Sequence, residues 1–431
     1  MAEKSTQKRW TKRNLNGRDL DPQTLMMTYG YRPEWSEGAI KPPIFQTSTF
    51  VINSAEEGKR FFSLAYGLEE ATDEDEGTGL IYGRINNPNL EILEDRLTLY
   101  DGGEAALAFG SGMAAITTTL LALLNPGDVL LHSGSLYGGT DHFIKHVLPR
   151  FDITSIWFDK DDKIHDIAER VRASGKADKL AMIYVETPSN PMNTLVDLEM
   201  CAELADMFST GERRIPIACD NTFLGPIFQQ PIKHGVDIVL YSATKYIGGH
   251  SDVVAGAAVG SAELIAKVRG MRTFMGTMAD PWTCWLLLRS LETLKPRMQL
   301  MSDIASQVSQ FLAQHPKVEK IYCLGHLEDD PAQQAIYEKQ CQAQGGMISF
   351  DVVGGEAEAF RFLNALQIIK LAVSLGGTES LAEHPYTMTH ADVSPDDKHE
   401  VGLTDKLIRM SIGLEHPDDL IADLDQALAA I

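Results

Sequence analysis

Short apolar runs rich in β-branched residues recur through the middle of the chain, at Asp128–His132, Ile153–Phe158, Leu180–Val185, Ile215–Cys219 and Val236–Tyr241. Runs of this length, bounded by polar segments, read as buried strands. Between them, Lys163–Ala173 and Leu198–Phe208 carry apolar residues at helical spacing. Strand and helix in alternation predict an α/β fold, a mostly parallel sheet with helices on both faces. After about Leu286 the pattern changes. Leu300, Ile304, Val308 and Phe311 repeat as one helix face, followed by a strand at Met347–Val353, a helix at Glu356–Leu366, a strand at Leu407–Ile412 and a helix at Asp418–Ala430. This predicts a second, smaller α+β domain.

Ala105–Leu124 contains no charge, and about 20 such residues can span a bilayer. Gly110-Ser111-Gly112 interrupts it early, Thr117, Thr118 and Thr119 sit in its middle, and Pro126-Gly127-Asp128 closes it. It reads as a strand, a glycine turn and a buried helix, and the protein as soluble.

The chain has 431 residues, enough for a large core, with 60 acidic residues against 38 basic ones and a net charge of −22. Neutralising a phosphate backbone needs a basic face, so nucleic acid and anionic membranes are excluded as principal partners. The five cysteines are widely spaced, with no C-x-x-C pair. A disulfide framework or zinc site is not expected, and a reducing cytoplasm is. The basic N-terminus lacks the apolar stretch of a secretory signal.

Candidate chemistry gathers at strand ends. Lys245, in Ser242-Ala243-Thr244-Lys245-Tyr246-Ile247-Gly248-Gly249-His250, directly follows the strand Val236–Tyr241, where open α/β sheets bind ligands. Ser242 and Thr244 place hydroxyls two residues apart. Asp220 ends the neighbouring strand. Alone it reads as an Asx-turn residue. Paired with a lysine at a second strand end, it suits pyridoxal phosphate: the lysine for a Schiff base, the carboxylate for the protonated pyridine nitrogen. Gly110-Ser111-Gly112-Met113 opens a helix whose first N–H groups suit a phosphate. His250 and His390 lack a metal-ligand pattern, so no metal site is expected. Arg409 sits between Ile408 and Met410, and a buried arginine requires an anionic partner.

SATKYIGGHSD, with CDNTF and SGMAA upstream, resembles the Cys/Met-metabolism family of pyridoxal-phosphate enzymes, which includes cystathionine γ-synthase, cystathionine γ-lyase, methionine γ-lyase and the homoserine-ester sulfhydrylases. The likeness runs from PPIFQTSTF (Pro42–Phe50) to RMSIGLEHPDDL (Arg409–Leu420). It implies a fold-type I architecture with a seven-stranded sheet. The implied domains are an N-terminal arm over 1–62 that reaches a neighbouring subunit, a cofactor-binding domain over 63–286 and a C-terminal domain over 287–431. It further implies that Lys245 carries the cofactor and moves protons, that Asp220 holds its ring nitrogen, and that Gly112, Met113, Ser242 and Thr244 bind its phosphate. Tyr137 would stack on the ring and assist the leaving group, and Asn190 would contact the 3′-oxygen. Ser374 and Arg409 would bind the substrate carboxylate. Tyr82 and Arg84 would reach the neighbour's phosphate, making a homodimer the minimal active unit, and family members are usually tetramers of two such dimers.

The implied reaction is γ-elimination or γ-replacement on an amino acid with a heteroatom at Cγ. Val373 stands where cystathionine-handling members carry a glutamate. Gly139 replaces the cysteine, and Arg272-Thr273 the lysine-aspartate pair, of methionine γ-lyases. The expectation is a γ-lyase for methionine or a canavanine-like substrate, the latter suggested by the acidic run Glu69–Glu76 ahead of Tyr82 and Arg84. The alternatives are a cystathionine γ-synthase or O-acylhomoserine sulfhydrylase, and a cofactor-binding regulator.

Overall fold

Seven strands form the larger sheet: β1 (Ala105–Phe109), β2 (Val129–Ser133), β3 (Thr154–Phe158), β4 (Leu180–Glu186), β5 (Ile217–Asp220), β6 (Ile238–Tyr241) and β7 (Gly256–Gly260). Their order is β1-β7-β6-β5-β4-β2-β3. The computed structural model describes residues 10–70, 78–211, 213–391, 393–394, 398–399 and 402–431. The sheet is parallel from β6 to β3, and β7 alone runs antiparallel to both its neighbours.

Alternate residues of each strand face opposite layers. Leu130, Met182, Ala218 and Leu240 pack on one face with Ile116, Leu120, Ile265 and Val268, from the helices Gly112–Leu123 and Ala262–Met275. Leu131, Ile183, Cys219 and Val239 pack on the other with Leu93, Ile167, Leu204 and Leu287. Every residue of β4 is buried, as expected for a strand covered on both faces. The uncharged stretch near residue 105 is the expected strand, turn and helix. No helix among the described residues is long and apolar enough to cross a membrane.

The second sheet contains β8 (Val318–Tyr322), β9 (Met347–Val352), β10 (Lys370–Leu371), β11 (Leu381–Glu383) and β12 (Leu407–Ser411), in the order β8-β9-β12-β11-β10. All its pairings are antiparallel except β10 with β11. Helices Leu294–Gln314, Glu356–Ala365 and Pro417–Leu428 cover it, burying Ile304, Val308, Leu312, Phe362, Leu420 and Leu424 against Phe350 and Ile408. Leu300 departs from the expected stripe. It is 48% exposed, and the buried face of that helix runs through Met301, Ala305 and Leu312 instead. The helix Pro281–Leu291 spans the boundary expected at residue 287.

Candidate active site

The strand ends converge through register. Phe109 pairs with Gly256, Tyr241 with Ala257, Asp220 with Leu240, and Glu186 with Asp220. Two antiparallel steps through β7 bring β1 back parallel to β6, so the carboxyl ends of β1, β4, β5 and β6 share one sheet edge. A cavity of about 330 Å³ opens there. It is lined by Gly112, Met113, Tyr137, Asn190, Asp220, Ser242, Thr244, Lys245, Ser374 and Arg409. These are all of the expected site residues except Tyr82 and Arg84. A larger cleft of about 1030 Å³ shares only Glu186 with it and contains neither Lys245 nor Asp220.

Each side chain has an identifiable support. Ser111 caps the helix Gly112–Leu123, its side chain accepting from the Ala114 N–H at 3.0 Å. A Cβ on Gly112 would lie 2.9 Å from Ser242 Cα, so glycine is required for the helix start and the Lys245 turn to meet. Asp220 Oδ1 accepts from Thr222 Oγ1 at 2.6 Å and from the Thr222 N–H at 3.0 Å. Thr222 Oγ1 also accepts from the Ser242 N–H at 2.9 Å, tying the β5 and β6 ends together. Thr244 Oγ1 donates to Ala255 O at 3.1 Å and accepts from the Ala255 N–H at 2.9 Å.

Lys245 Nζ donates to Ser374 Oγ at 3.1 Å. Burial, followed by the nearby Arg409 charge, lowers its pKa to about 8, with Glu383 opposing. Asp220 is buried, which raises its pKa to about 6 against the Thr222 hydrogen bonds. It has no ion-pair partner among the described residues. A buried carboxylate without a cation at a cavity wall fits a protonated ring nitrogen. The glycine-lined helix start fits a phosphate, and the half-buried amine fits a carbonyl partner. The donor set therefore suits pyridoxal phosphate.

Arg409, between its apolar neighbours, has the anionic partner that its burial demands within the chain itself. Its Nη1 lies 2.7 Å from Glu383 Oε1, its cross-strand neighbour. Nη1 also donates to Asn190 Oδ1 at 3.0 Å, and Nη2 to Ser374 O at 3.1 Å. Nε has no hydrogen-bond partner among the described residues.

Sequence reasoning did not find Glu186, Thr222 or Glu383. Glu186 is buried; its Oε2 accepts from the Tyr137 N–H at 2.7 Å and its Oε1 from the Asn190 N–H at 3.1 Å. Burial and then the Asp220 charge hold its pKa well above the usual range. Thr222 lies in CDNTF two residues after Asp220, with no residue-type signal of its own. The significance of Glu383 lies entirely in its pairing across the sheet.

Two expectations stand apart from the cavity. Tyr82 is 42% exposed, and Arg84 Nη1 donates to Thr273 O at 2.5 Å. Arg272 is buried, with Nη1 bonded to Glu94 Oε1 at 2.5 Å and Ala108 O at 2.8 Å, so it acts as a structural cation. Among the described residues no cluster of three or more His, Cys, Asp or Glu could hold a metal ion.

The model of the Cys/Met metabolism PLP-dependent enzymes matches residues 23–429. The chain belongs to that family. It is a pyridoxal-phosphate-dependent enzyme of the lyase type. Its sequence is 40% identical over 396 residues to an L-methionine gamma-lyase of Fusobacterium nucleatum, covering 91% of this chain and 94% of that one. It is 37% identical over 413 residues to a cystathionine gamma-lyase of Bacillus subtilis, covering 96% and 100%. A cystathionine gamma-lyase structure from Lactobacillus plantarum, in complex with L-serine, superposes with a TM-score of 0.84 at 33% identity, covering 96% and 99%. A cystathionine gamma synthase from Xanthomonas oryzae, with aminoacrylate and cysteine, gives 0.84 at 32%, covering 95% and 98%.

Proposed function

We propose that the enzyme eliminates the γ-substituent of L-methionine or a similarly compact amino acid. Bound at Lys245, pyridoxal phosphate supplies an electron sink that acidifies the substrate's Cα and then its Cβ. Lys245 would take the proton from Cα and manage the one at Cβ, with a pKa of about 8 that suits a base near neutral pH. Asp220, held by Thr222, would keep the ring nitrogen protonated. Gly112, Met113, Ser242 and Thr244 would hold the phosphate, Asn190 the 3′-oxygen, and Arg409 with Ser374 the substrate's carboxylate. Tyr137 would cover the ring and give a proton to the departing sulfur.

The observation carrying this reading is Val373. It lines the cavity beside Ser374 and is 57% exposed, giving an apolar wall where a distal amino group would need an anion. That favours a short thioether over cystathionine. The canavanine-like alternative rests on Glu69–Glu76. Glu69 is paired with Arg60 at 2.6 Å, and residues 71–77 lie outside the described residues.

A homodimer is part of the proposal. The bridge between Thr49 and Tyr82 and the contact of Arg84 with Thr273 tie together three segments whose Val51, Tyr82 and Phe274 are 95%, 42% and 81% exposed. Exposed apolar side chains of this kind suit a second copy, into whose site Tyr82 and Arg84 would reach, with two such dimers making a tetramer; of the embracing arm over 1–62, residues 1–9 lie outside the described residues. Five free cysteines support a cytoplasmic location.

The test is a panel of L-methionine, L-cystathionine, L-canavanine and O-acylhomoserines, with and without thiols, followed by 2-oxobutyrate, homoserine and replacement products. The proposal expects 2-oxobutyrate from methionine without added thiol. Reaction confined to ester-plus-thiol mixtures would overturn it in favour of a γ-replacing transferase.

A further inference from the structure

The cation assigned to the substrate's carboxylate is already matched by an internal anion. Glu383 is fully buried, on β11, and its Oε1 receives Arg409 Nη1 at 2.7 Å and Thr389 Oγ1 at 3.1 Å. Oε2 has no hydrogen-bond partner among the described residues. Glu383 does not line the cavity, while Arg409 and Thr389 do. Its influence on a ligand therefore passes through Arg409 and through space.

Orientation of Arg409 does not depend on Glu383 alone. Asn190 Oδ1 and Ser374 O hold Nη1 and Nη2 at 3.0 and 3.1 Å. A guanidinium has five N–H groups. Among the described residues, Glu383, Asn190 and Ser374 engage three of them, which leaves the Nε–H and one Nη2–H unpaired. What Glu383 contributes uniquely is charge. An ion pair that is closed before substrate arrives leaves those two donors in place but offsets the attraction behind them.

We infer that Glu383 is a positioning residue that sets the affinity of the site for carboxylates, holding it below what Arg409 would give if uncompensated. The inference rests on Arg409 being the carboxylate-binding residue. A substrate entering this site displaces no internal anion; it shares Arg409 with Glu383 and is repelled by it. Weak capture aids release of a carboxylate product such as a 2-oxo acid. A purely structural role predicts the opposite sign, since loss of Glu383 would then loosen Arg409 and weaken binding.

Glu383→Gln separates the two. The amide oxygen can still accept from Arg409 and Thr389, and only the charge is lost. The measurement is calorimetric or thermal-shift titration of the holoenzyme with butyrate, which has the carboxylate but no reactive amine, and with its neutral counterpart butyramide. Glu383→Gln should bind butyrate about tenfold more tightly, with butyramide unchanged. Should that variant not fold, Glu383→Asp, which withdraws the charge by one methylene, should give a smaller increase in the same direction. Unchanged or weaker butyrate binding in a folded variant would overturn the inference. Arg409→Lys tells the two layers apart. If it leaves butyrate affinity intact, the assignment of Arg409 itself fails. If it abolishes binding while Glu383→Gln does not raise it, only the role of Glu383 fails.

Discussion

Glu186 and Asp220 are register partners at the ends of adjacent parallel strands, and both carboxyl groups are buried at the cavity floor. Among the described residues, only backbone and hydroxyl donors meet them. Glu186 takes the N–H groups of Tyr137 and Asn190, and Asp220 takes both donors of Thr222. One acid thus fixes two residues that line the cavity, while the other keeps a carboxylate oxygen for the ring nitrogen that the proposal assigns to it.

This arrangement is costly without the cofactor. The Asp220 pKa is raised to about 6, above that of an unfolded aspartate. Its contribution to stability is therefore present below about pH 4 and is lost as pH rises through 6. Cofactor-free enzyme should lose up to about 3 kcal/mol relative to Asp220→Asn on going from pH 4 to pH 7.5. Urea unfolding of both proteins across that range measures it, and parallel profiles would refute the assignment.

Thr222 supports Asp220 in its charged form. Thr222→Val keeps the shape and removes the 2.6 Å hydroxyl bond, so Asp220 should become harder to ionise. Cofactor affinity, followed by equilibrium dialysis, should fall about tenfold. Protein stability should change much less, because the tie from the Ser242 N–H is one exchangeable bond.

Gly112→Ala tests the phosphate cradle. Its Cβ would press on Ser242 Cα and Cβ, both 2.9 Å away, and these are backbone-fixed atoms that cannot swing aside. The helix start and the Lys245 turn must separate. Cofactor retention on gel filtration should drop sharply while far-ultraviolet circular dichroism stays close to wild type.

Arg272 and Glu94 form a buried pair away from the cavity. Breaking such a pair from one side leaves an uncompensated buried charge and costs about 3–5 kcal/mol. Glu94→Gln should lower Tm by several degrees, and the folded fraction should keep its cofactor absorbance. A selective loss of absorbance would instead make Arg272 a site residue.

Much of the large sheet was legible because its buried strands are continuous apolar runs. Ile217–Asp220 and Ile238–Tyr241 lie inside the stretches marked by Ile215–Cys219 and Val236–Tyr241, apart from Asp220 itself. Gly256–Gly260, read GAAVG, carried no such mark. Glycine and alanine have weak strand preference, and close approach to Ser111 selects them here: a Cβ on Gly256 would lie 2.1 Å from Ser111 O. Lys245, Asp220 and the Gly112 turn were readable because their chemistry depends on residue type at a strand end. Glu186 and Glu383 were not, because each draws its meaning from a partner brought close by register. Glu186 is one residue past the apolar run of its strand, and Glu383 meets Arg409 only after β11 and β12 pair.

The central claim is that pyridoxal phosphate is carried by Lys245 in the cavity at the sheet edge. Reduction of the yellow holoenzyme with borohydride, followed by proteolysis and mass mapping, addresses it directly. The account predicts the cofactor-derived mass on the peptide containing Lys245 alone, and a colourless Lys245→Ala protein without that adduct. A label on a different lysine, or colour that survives Lys245→Ala, would contradict it.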